Sequence, residues 1–228
     1  MIDHAHDLAS VRDATDRLLT AAAKLDNASV AEPSRLPGWT RGHVLAHLAR
    51  NADALVNVLG GHPMYASGET RDADIERDGP RSLDVQLTDL RESAARFQAA
   101  GTVPGDWSRT VELRNGVTDS ASRIPFRRWV EVELHHVDLG IGYELEDLPE
   151  EFTEREIGFL ADRFSGHPEV PPTRLTDGTR AWNTGRKADA PEITVTGPAP
   201  DLLGWLAGRR DRSGLSVSGG GLPALPPL

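Results

Sequence analysis

Apolar residues recur at helical spacing in four segments of the first two thirds of the chain. A spacing of three to four residues is typical of amphipathic helices, which are predicted over 3–25, 41–59, 81–100 and 124–143. Thr40 is expected to cap the second helix and Gly101 to end the third, and Pro125 fits the first turn of the fourth. Such a set predicts a four-helix bundle with one long crossover connection.

The connecting segments differ from these helices in character. Residues 61–80 are polar, with glycine, proline and scattered charge, and predict a long loop of the kind that often carries function. Residues 102–122 have a mixed pattern that predicts a short hairpin or an extended crossover.

The pattern changes after Gly140, where short β-like runs begin to alternate with helical ones. Helices are predicted over 150–165 and 198–209, and strands over 174–175, 180–183, 193–196 and 215–218. The predicted fold class is therefore α+β. A four-helix bundle over residues 1–146 is followed by a small α/β C-terminal domain over residues 147–228.

Composition narrows the classes of function. The net charge of −10 argues against a nucleic-acid partner and against a basic membrane-binding patch. The absence of cysteine excludes disulfides, thiolate zinc sites and a cysteine nucleophile from this chain. The polar N-terminus does not resemble a signal peptide, and no apolar run approaches the roughly 18 residues of a membrane span. We therefore expect a cytoplasmic protein.

The fourth helix carries a polar stripe, Glu131, His135 and Asp138, between two apolar rows. A stripe flanked in this way is expected to face inward, where a carboxylate and an imidazole are costly unless they are paired or bind a metal. Glu133 lies about 200° around the helix from Glu131 and is expected to face solvent. His136 is expected at the surface or the rim.

Two histidines on the second helix, His43 and His47, are also four residues apart, and His47 lies nearer the apolar stripe. His47 with Glu131 and His135 makes a set of two histidines and one carboxylate, which leaves an open position as catalytic zinc requires. Non-haem iron uses the same ligand types, and a hydrogen-bonded core histidine is the alternative for His47. Asp138 is a candidate to orient one ligand from behind, or is a charge at the end of the helix.

At these residues the chain resembles the mycothiol-dependent maleylpyruvate isomerases, of the DinB-like metal-binding helix-bundle superfamily. The resemblance starts at residues 36–47, Leu-Pro-Gly-Trp-Thr-Arg-Gly-His-Val-Leu-Ala-His, followed by Arg50-Asn51-Ala52. It continues at 63–65 with Arg71, at 131–140 and at 207–209. It therefore runs in order through nearly the whole chain. One departure is Glu133, where the family commonly has tryptophan.

The resemblance implies zinc held by His47, Glu131 and His135, with a catalytic arginine at Arg209 in the C-terminal domain. Arg71 matches a second family arginine near the site. The implied reaction turns maleylpyruvate into fumarylpyruvate in gentisate degradation, with mycothiol or another low-molecular-weight thiol. Since the substrate is a dianionic dicarboxylate, Arg71 and Arg209 are the candidates to bind its carboxylates. Tyr65 and Asn51 are weaker candidates for thiol or substrate contact.

The implied chemistry has a simple physical basis. Addition of a thiolate to the cis double bond gives a single bond that rotates, and its elimination leaves the trans isomer. Zinc is able to deprotonate the thiol or to act as a Lewis acid on the keto acid, and the sequence leaves both open. Two other functions also remain open: a thiol transferase of the same superfamily, and a metal-binding regulatory module without catalysis.

Overall fold

The computed structural model describes residues 3–227, which form two compact units, one up to Tyr143 and one from Glu144 onwards. The fold class is α+β, as predicted. The sequence placed the boundary slightly later, after residue 146, and the ends of both predicted domains, residues 1, 2 and 228, lie outside the described residues.

The described part of the first unit is a bundle of four long helices with two shorter ones. The long helices are α1 (His4–Ala22), α3 (Arg41–Leu59), α5 (Leu83–Gly101) and α6 (Ile124–Asp138), and the shorter are α2 (Asn27–Ala31) and α4 (Gly68–Asp78). Both α1 and α3 pack against α5 and α6. The core between them consists of leucine, valine, alanine and aromatic side chains, of which Leu18, Leu45 and Phe97 are almost fully buried.

Two predictions about this unit were wrong in part. The segment 61–80 is not one loop, because α4 forms within it, begun by Ser67, whose hydroxyl accepts a hydrogen bond from Thr70 N. Only Ile75 and Asp78 of this helix are buried, so it lacks the apolar stripe on which the sequence argument depended. The fourth helix ends at Asp138 rather than at 143, and Gly140 just beyond it has a positive φ of 63°.

The crossover between α5 and α6 contains the predicted hairpin. Strands β1 (Thr110–Glu112) and β2 (Thr118–Ser120) pair antiparallel, with Thr110 opposite Ser120. A tight turn over Arg114–Gly116 joins them.

The second unit contains a four-stranded sheet with two helices. Strands β3 (Thr173–Thr176), β4 (Ala181–Thr184), β5 (Ile193–Thr196) and β6 (Ser216–Ser218) lie in the order β4-β3-β5-β6. Strands β3 and β5 are parallel, and the other two pairs are antiparallel. Helix α7 (Glu150–Phe164) packs against β4 and against α8 (Ala199–Leu206).

None of the helices in the described part of the chain combines the length and the apolar character that crossing a bilayer demands.

Candidate metal centre

His47 is held on α3 by the way that helix begins. The Thr40 hydroxyl accepts a hydrogen bond from His43 N at 3.3 Å, and the Thr40 backbone N–H donates to His43 Nδ1 at 3.2 Å. His43 therefore completes a capping box, the arrangement in which side chains satisfy the free N–H groups of a first helical turn. One turn later His47 is buried in the bundle, and the ring of Trp39 lies 5.4 Å from its ring.

Three side chains from α3 and α6 converge on one point. His47 Nε2 lies 2.9 Å from Glu131 Oε2, and His135 Nε2 lies 3.3 Å from the same oxygen. One ligand atom from each residue lies within 4.8 Å of the other two. The side chains of His47 and His135 are 7% and 12% exposed and that of Glu131 is 32% exposed, so the cluster opens to solvent on the Glu131 side.

Asp138 lies behind His135, one turn further along α6. Its Oδ2 is 2.8 Å from His135 Nδ1, and its side chain is buried. A carboxylate in this position accepts a hydrogen bond from Nδ1–H. The lone pair of Nε2 then points at the cluster, as in histidines that bind metals. This is the place that the sequence proposed for Asp138.

The charges in the cluster also suit a cation. Burial, assisted by the charges of His135 and Arg71, lowers the pKa of His47 to about 4, so that this ring is neutral near pH 7. Burial opposes ionisation of Glu131, but hydrogen bonds from the two histidines outweigh it and hold the pKa of Glu131 well below its ordinary range. The cluster therefore offers an ionised carboxylate and at least one neutral imidazole, the forms that bind metals.

Zinc takes nitrogen and oxygen ligands, and a catalytic zinc site has three protein ligands and one open position. The donor set His47, Glu131 and His135 has this composition, and its open side leads to solvent. The residues present therefore fit a zinc ion.

Arg71 reaches the cluster from α4, the helix that the sequence did not predict. Its Nη2 lies 3.3 Å from His47 Nδ1. Tyr65, in the preceding connection, lies beside it. Burial raises the pKa of the Tyr65 hydroxyl, the Glu131 carboxylate adds to the rise, and Arg71 opposes it. The structure thus brings Arg71 and Tyr65 to the three candidate ligands.

The family model for the mycothiol maleylpyruvate isomerase N-terminal domain matches residues 11–140, and that for the C-terminal domain of the same family matches residues 147–227. The chain belongs to the mycothiol maleylpyruvate isomerase family. Its predicted resemblance is thereby confirmed.

Two solved structures are similar over almost their whole length. One is a crystal structure of the mycothiol-dependent maleylpyruvate isomerase, with 28% sequence identity and a TM-score of 0.88, covering 99% of this chain and 97% of that one. The other is a histidine-to-alanine mutant of that enzyme, with 27% identity and the same TM-score and coverage. No curated protein is similar enough to count as a match.

Asn51, which the sequence predicted as a possible thiol or substrate contact, is buried and makes a hydrogen bond inside the bundle. Its Oδ1 accepts a hydrogen bond of 2.8 Å from Arg128 Nη1, which also donates to the Leu48 carbonyl at 2.8 Å. Arg128 is fully buried on α6, so it ties α6 to α3 beside His47. The sequence missed this role, although an arginine within the apolar rows of a helix is a signal for a buried charge.

Two predictions about the other side of α6 were wrong. Glu133 does not face solvent: it is 1% exposed and accepts hydrogen bonds from Arg17, Trp129 and Tyr143. His136 is not at the rim either, since it is buried and its ring stacks on that of Tyr143 with centroids 4.0 Å apart. The side of α6 facing away from the metal cluster is thus a second buried polar region.

Arg209 belongs to the second unit and lies just after α8. Its Nη1 donates to the Ala207 carbonyl at 2.7 Å, and its backbone N–H donates to the Gly204 carbonyl at 2.7 Å. These bonds fix its position at the end of the helix. Its catalytic role, which the family resemblance implies, stays a prediction.

The role of Asp138 is testable. We expect Asp138→Ala to bind zinc about 10- to 100-fold more weakly, because His135 loses the group that fixes its proton on Nδ1. Asp138→Asn keeps an acceptor and should lose less. Zinc competition with a fluorescent chelator measures both, and Asp84→Asn, exposed on α5, is the matched control. Unchanged zinc affinity in Asp138→Ala would contradict the role.

Proposed function

We propose that the protein is a cytoplasmic, zinc- and thiol-dependent cis-trans isomerase that converts maleylpyruvate to fumarylpyruvate in gentisate degradation. Mycothiol is the proposed thiol. Family membership of both halves of the chain supports the reaction. The observation that carries the proposal is the convergence of His47, Glu131 and His135 on one point with an open side.

A bound zinc ion would supply Lewis acidity at this point and favour the thiolate form of a thiol at neutral pH. The protein residues have to hold their protons in the matching places. The Asp138 carboxylate, 2.8 Å from His135 Nδ1, favours the tautomer with the proton on Nδ1, and Glu131 stays ionised. Because the chain has no cysteine, the nucleophilic sulfur has to come from a separate thiol.

Arg71 is proposed to bind a carboxylate of the substrate. Its present contact with His47 requires a lone pair on His47 Nδ1. An imidazole that coordinates through Nε2 carries its proton on Nδ1 instead, and two N–H groups do not bond to each other. With a metal on His47 Nε2, Arg71 Nη2 would lose this acceptor and would be able to bind a carboxylate of the substrate, while Nη1 donates to Asp72. Arg209 is proposed to bind the second carboxylate, as the family resemblance implies.

The proposal is tested by mixing zinc-loaded protein with maleylpyruvate and following the cis and trans products by proton NMR. Mycothiol, N-acetylcysteine and no thiol are compared, with thiol alone as the blank. We expect fumarylpyruvate to form only with thiol and protein together. A stable thiol conjugate in place of the trans isomer would show a transferase, and no turnover with any thiol would refute catalysis of this kind.

The arginine prediction needs its own comparison. We expect Arg71→Ala to lower kcat/KM for maleylpyruvate by roughly 10- to 100-fold, the range for a hydrogen bond to a charged group. Arg71→Lys should recover only part, because lysine cannot bind a carboxylate in a bidentate way. Arg12→Ala, at an exposed position on α1, is the control. Equal activity of Arg71→Ala and this control would rule out the role, and Arg209→Ala is measured in the same series.

A further inference from the structure

A cavity of about 650 Å³ lies between the connection after α3, the start of α4 and the β1–β2 hairpin. This volume is within the range of small-molecule sites, which is about 300–1,000 Å³. All the elements that line it belong to the first unit.

The cavity has an apolar floor and a polar rim. Val58, Val111 and Leu113 line it and are buried, whereas Glu112 and Asn115 line it and are exposed. An apolar surface with a few polar groups at its edge is the usual composition of a site for an organic ligand. The floor suits carbon-bound hydrogens, and the rim suits hydrogen-bonding groups.

Tyr65 lies between this cavity and the proposed zinc ligands. It lines the cavity, and its hydroxyl interacts electrostatically with Glu131 and Arg71 on the cluster side. It interacts in the same way with Arg114 on the hairpin side. Arg71, beside Tyr65, has its Nη2 3.3 Å from His47 Nδ1, so a ligand that extends from the cavity past Tyr65 approaches the proposed zinc ligands within the first unit.

The turn of the β1–β2 hairpin forms part of the cavity rim. Asn115 has a positive φ of 60°, a conformation that asparagine tolerates better than other non-glycine residues. Gly116 follows with φ 72°, and Leu113 N donates to the Val117 carbonyl at 2.7 Å across the turn. This closed turn places the side chains of Arg114 and Asn115 at the cavity.

We propose that this cavity binds the hydroxyl-rich body of the thiol cosubstrate, with its sulfur directed past Tyr65 to the proposed zinc ligands. The inference rests on the proposed function and names the subsite of its thiol. Mycothiol is N-acetylcysteine joined through an amide to a glucosamine–inositol unit, so most of its surface is uncharged hydroxyl groups and ring C–H groups.

The chemistry of the rim favours this ligand over the dicarboxylate. The Glu112 carboxylate accepts hydrogen bonds from hydroxyl groups but repels a dianion. Of the two arginines in the lining, Arg109 already donates to the Leu59 and Asp106 carbonyls. The Asn115 amide both donates and accepts, and the Arg114 guanidinium donates to hydroxyl and amide oxygens. The apolar floor packs against the C–H faces of a sugar ring. A doubly charged substrate binds more strongly beside Arg71, next to the proposed zinc ligands.

The test compares mycothiol with N-acetylcysteine, which carries the same sulfur without the sugar. We expect Glu112→Gln combined with Asn115→Gly to lower the ratio of the two kcat/KM values, mycothiol over N-acetylcysteine, by about tenfold, as for one to two lost hydrogen bonds. Glycine suits the positive φ at residue 115, so the turn is kept. Thr118→Ala, exposed on β2 of the same hairpin and outside the cavity, is the control.

A binding measurement separates this inference from the proposed reaction. Calorimetry with S-methyl mycothiol needs no turnover, and the double variant should bind it about tenfold more weakly than Thr118→Ala. Weakened binding without isomerisation in the unchanged protein would sustain the cavity and refute the proposed reaction. An unchanged ratio in a double variant that unfolds at the wild-type temperature, or no binding of S-methyl mycothiol to the unchanged protein, overturns the inference.

Discussion

Glu131→Gln should bind zinc at least about 100-fold more weakly than the unchanged protein and lose its isomerase activity in proportion. Loss of a residue that only supports a ligand costs about 10- to 100-fold, and loss of the ligand itself should cost no less. Glu131 is the one anionic group among the three proposed ligands, and both histidines are placed against its Oε2. The glutamine amide in this variant has no negative charge, and its oxygen is a weaker hydrogen-bond acceptor for the two histidines.

His47→Ala and His135→Ala are expected to have the same effect, because each removes one of the two proposed nitrogen ligands. Zinc content after dialysis is measured by elemental analysis together with activity, and the control is Glu92→Gln, an exposed glutamate on α5. Retention of one zinc per chain in all three variants would refute the ligand set.

The helix bundle should survive these changes, which keeps the test informative. The three side chains open to solvent on the side of Glu131, which is 32% exposed. Burial lowers the pKa of His135, but Asp138 and Glu131 outweigh it and raise that pKa, so His135 and these carboxylates attract each other without a metal. Circular dichroism of the three variants should therefore match that of the unchanged protein.

The three proposed zinc ligands could be predicted from the sequence because each of them lies in a recognisable local pattern. Glu131 and His135 are four apart on a helix, and His47 lies on an apolar stripe behind a recognisable N-cap at Thr40. Arg71 had no such signal. Its helix, α4, is mostly charged and buries few side chains, so periodicity does not reveal it.

The faces of α6 were harder to predict, for a different reason. The sequence argument assigned one inward face to the helix, whereas α6 packs against both α1 and α3 and is buried on most sides. Glu133 and Arg128 therefore lie in the interior, each among groups from distant parts of the chain. Such partners are set by packing between helices, which a pattern along one helix does not show.

Glu133 carries the second large prediction, a loss of stability. Glu133→Ala should lower the free energy of unfolding by about 2–6 kcal/mol, because the Trp129 indole and the Tyr143 hydroxyl each lose this acceptor, at about 1–3 kcal/mol each. The indole N–H of Trp129, 3.0 Å from Glu133 Oε1, is buried and would lose this acceptor. The Tyr143 hydroxyl loses its acceptor as well; burial and then the Glu133 carboxylate raise the pKa of Tyr143, so it keeps the proton that it donates.

The size of the loss should depend on which partner is changed. Glu133→Gln keeps an acceptor oxygen and should cost about 1–3 kcal/mol, the range for a buried polar group that loses its full partner. Arg17→Ala should cost less than Glu133→Ala, because the Arg17 side chain is 42% exposed and water already solvates part of it. Urea unfolding of the three variants, followed by circular dichroism, gives this order. If Glu133→Ala is as stable as the unchanged protein, Glu133 faces water after all, because only an exposed carboxylate can be removed at so little cost.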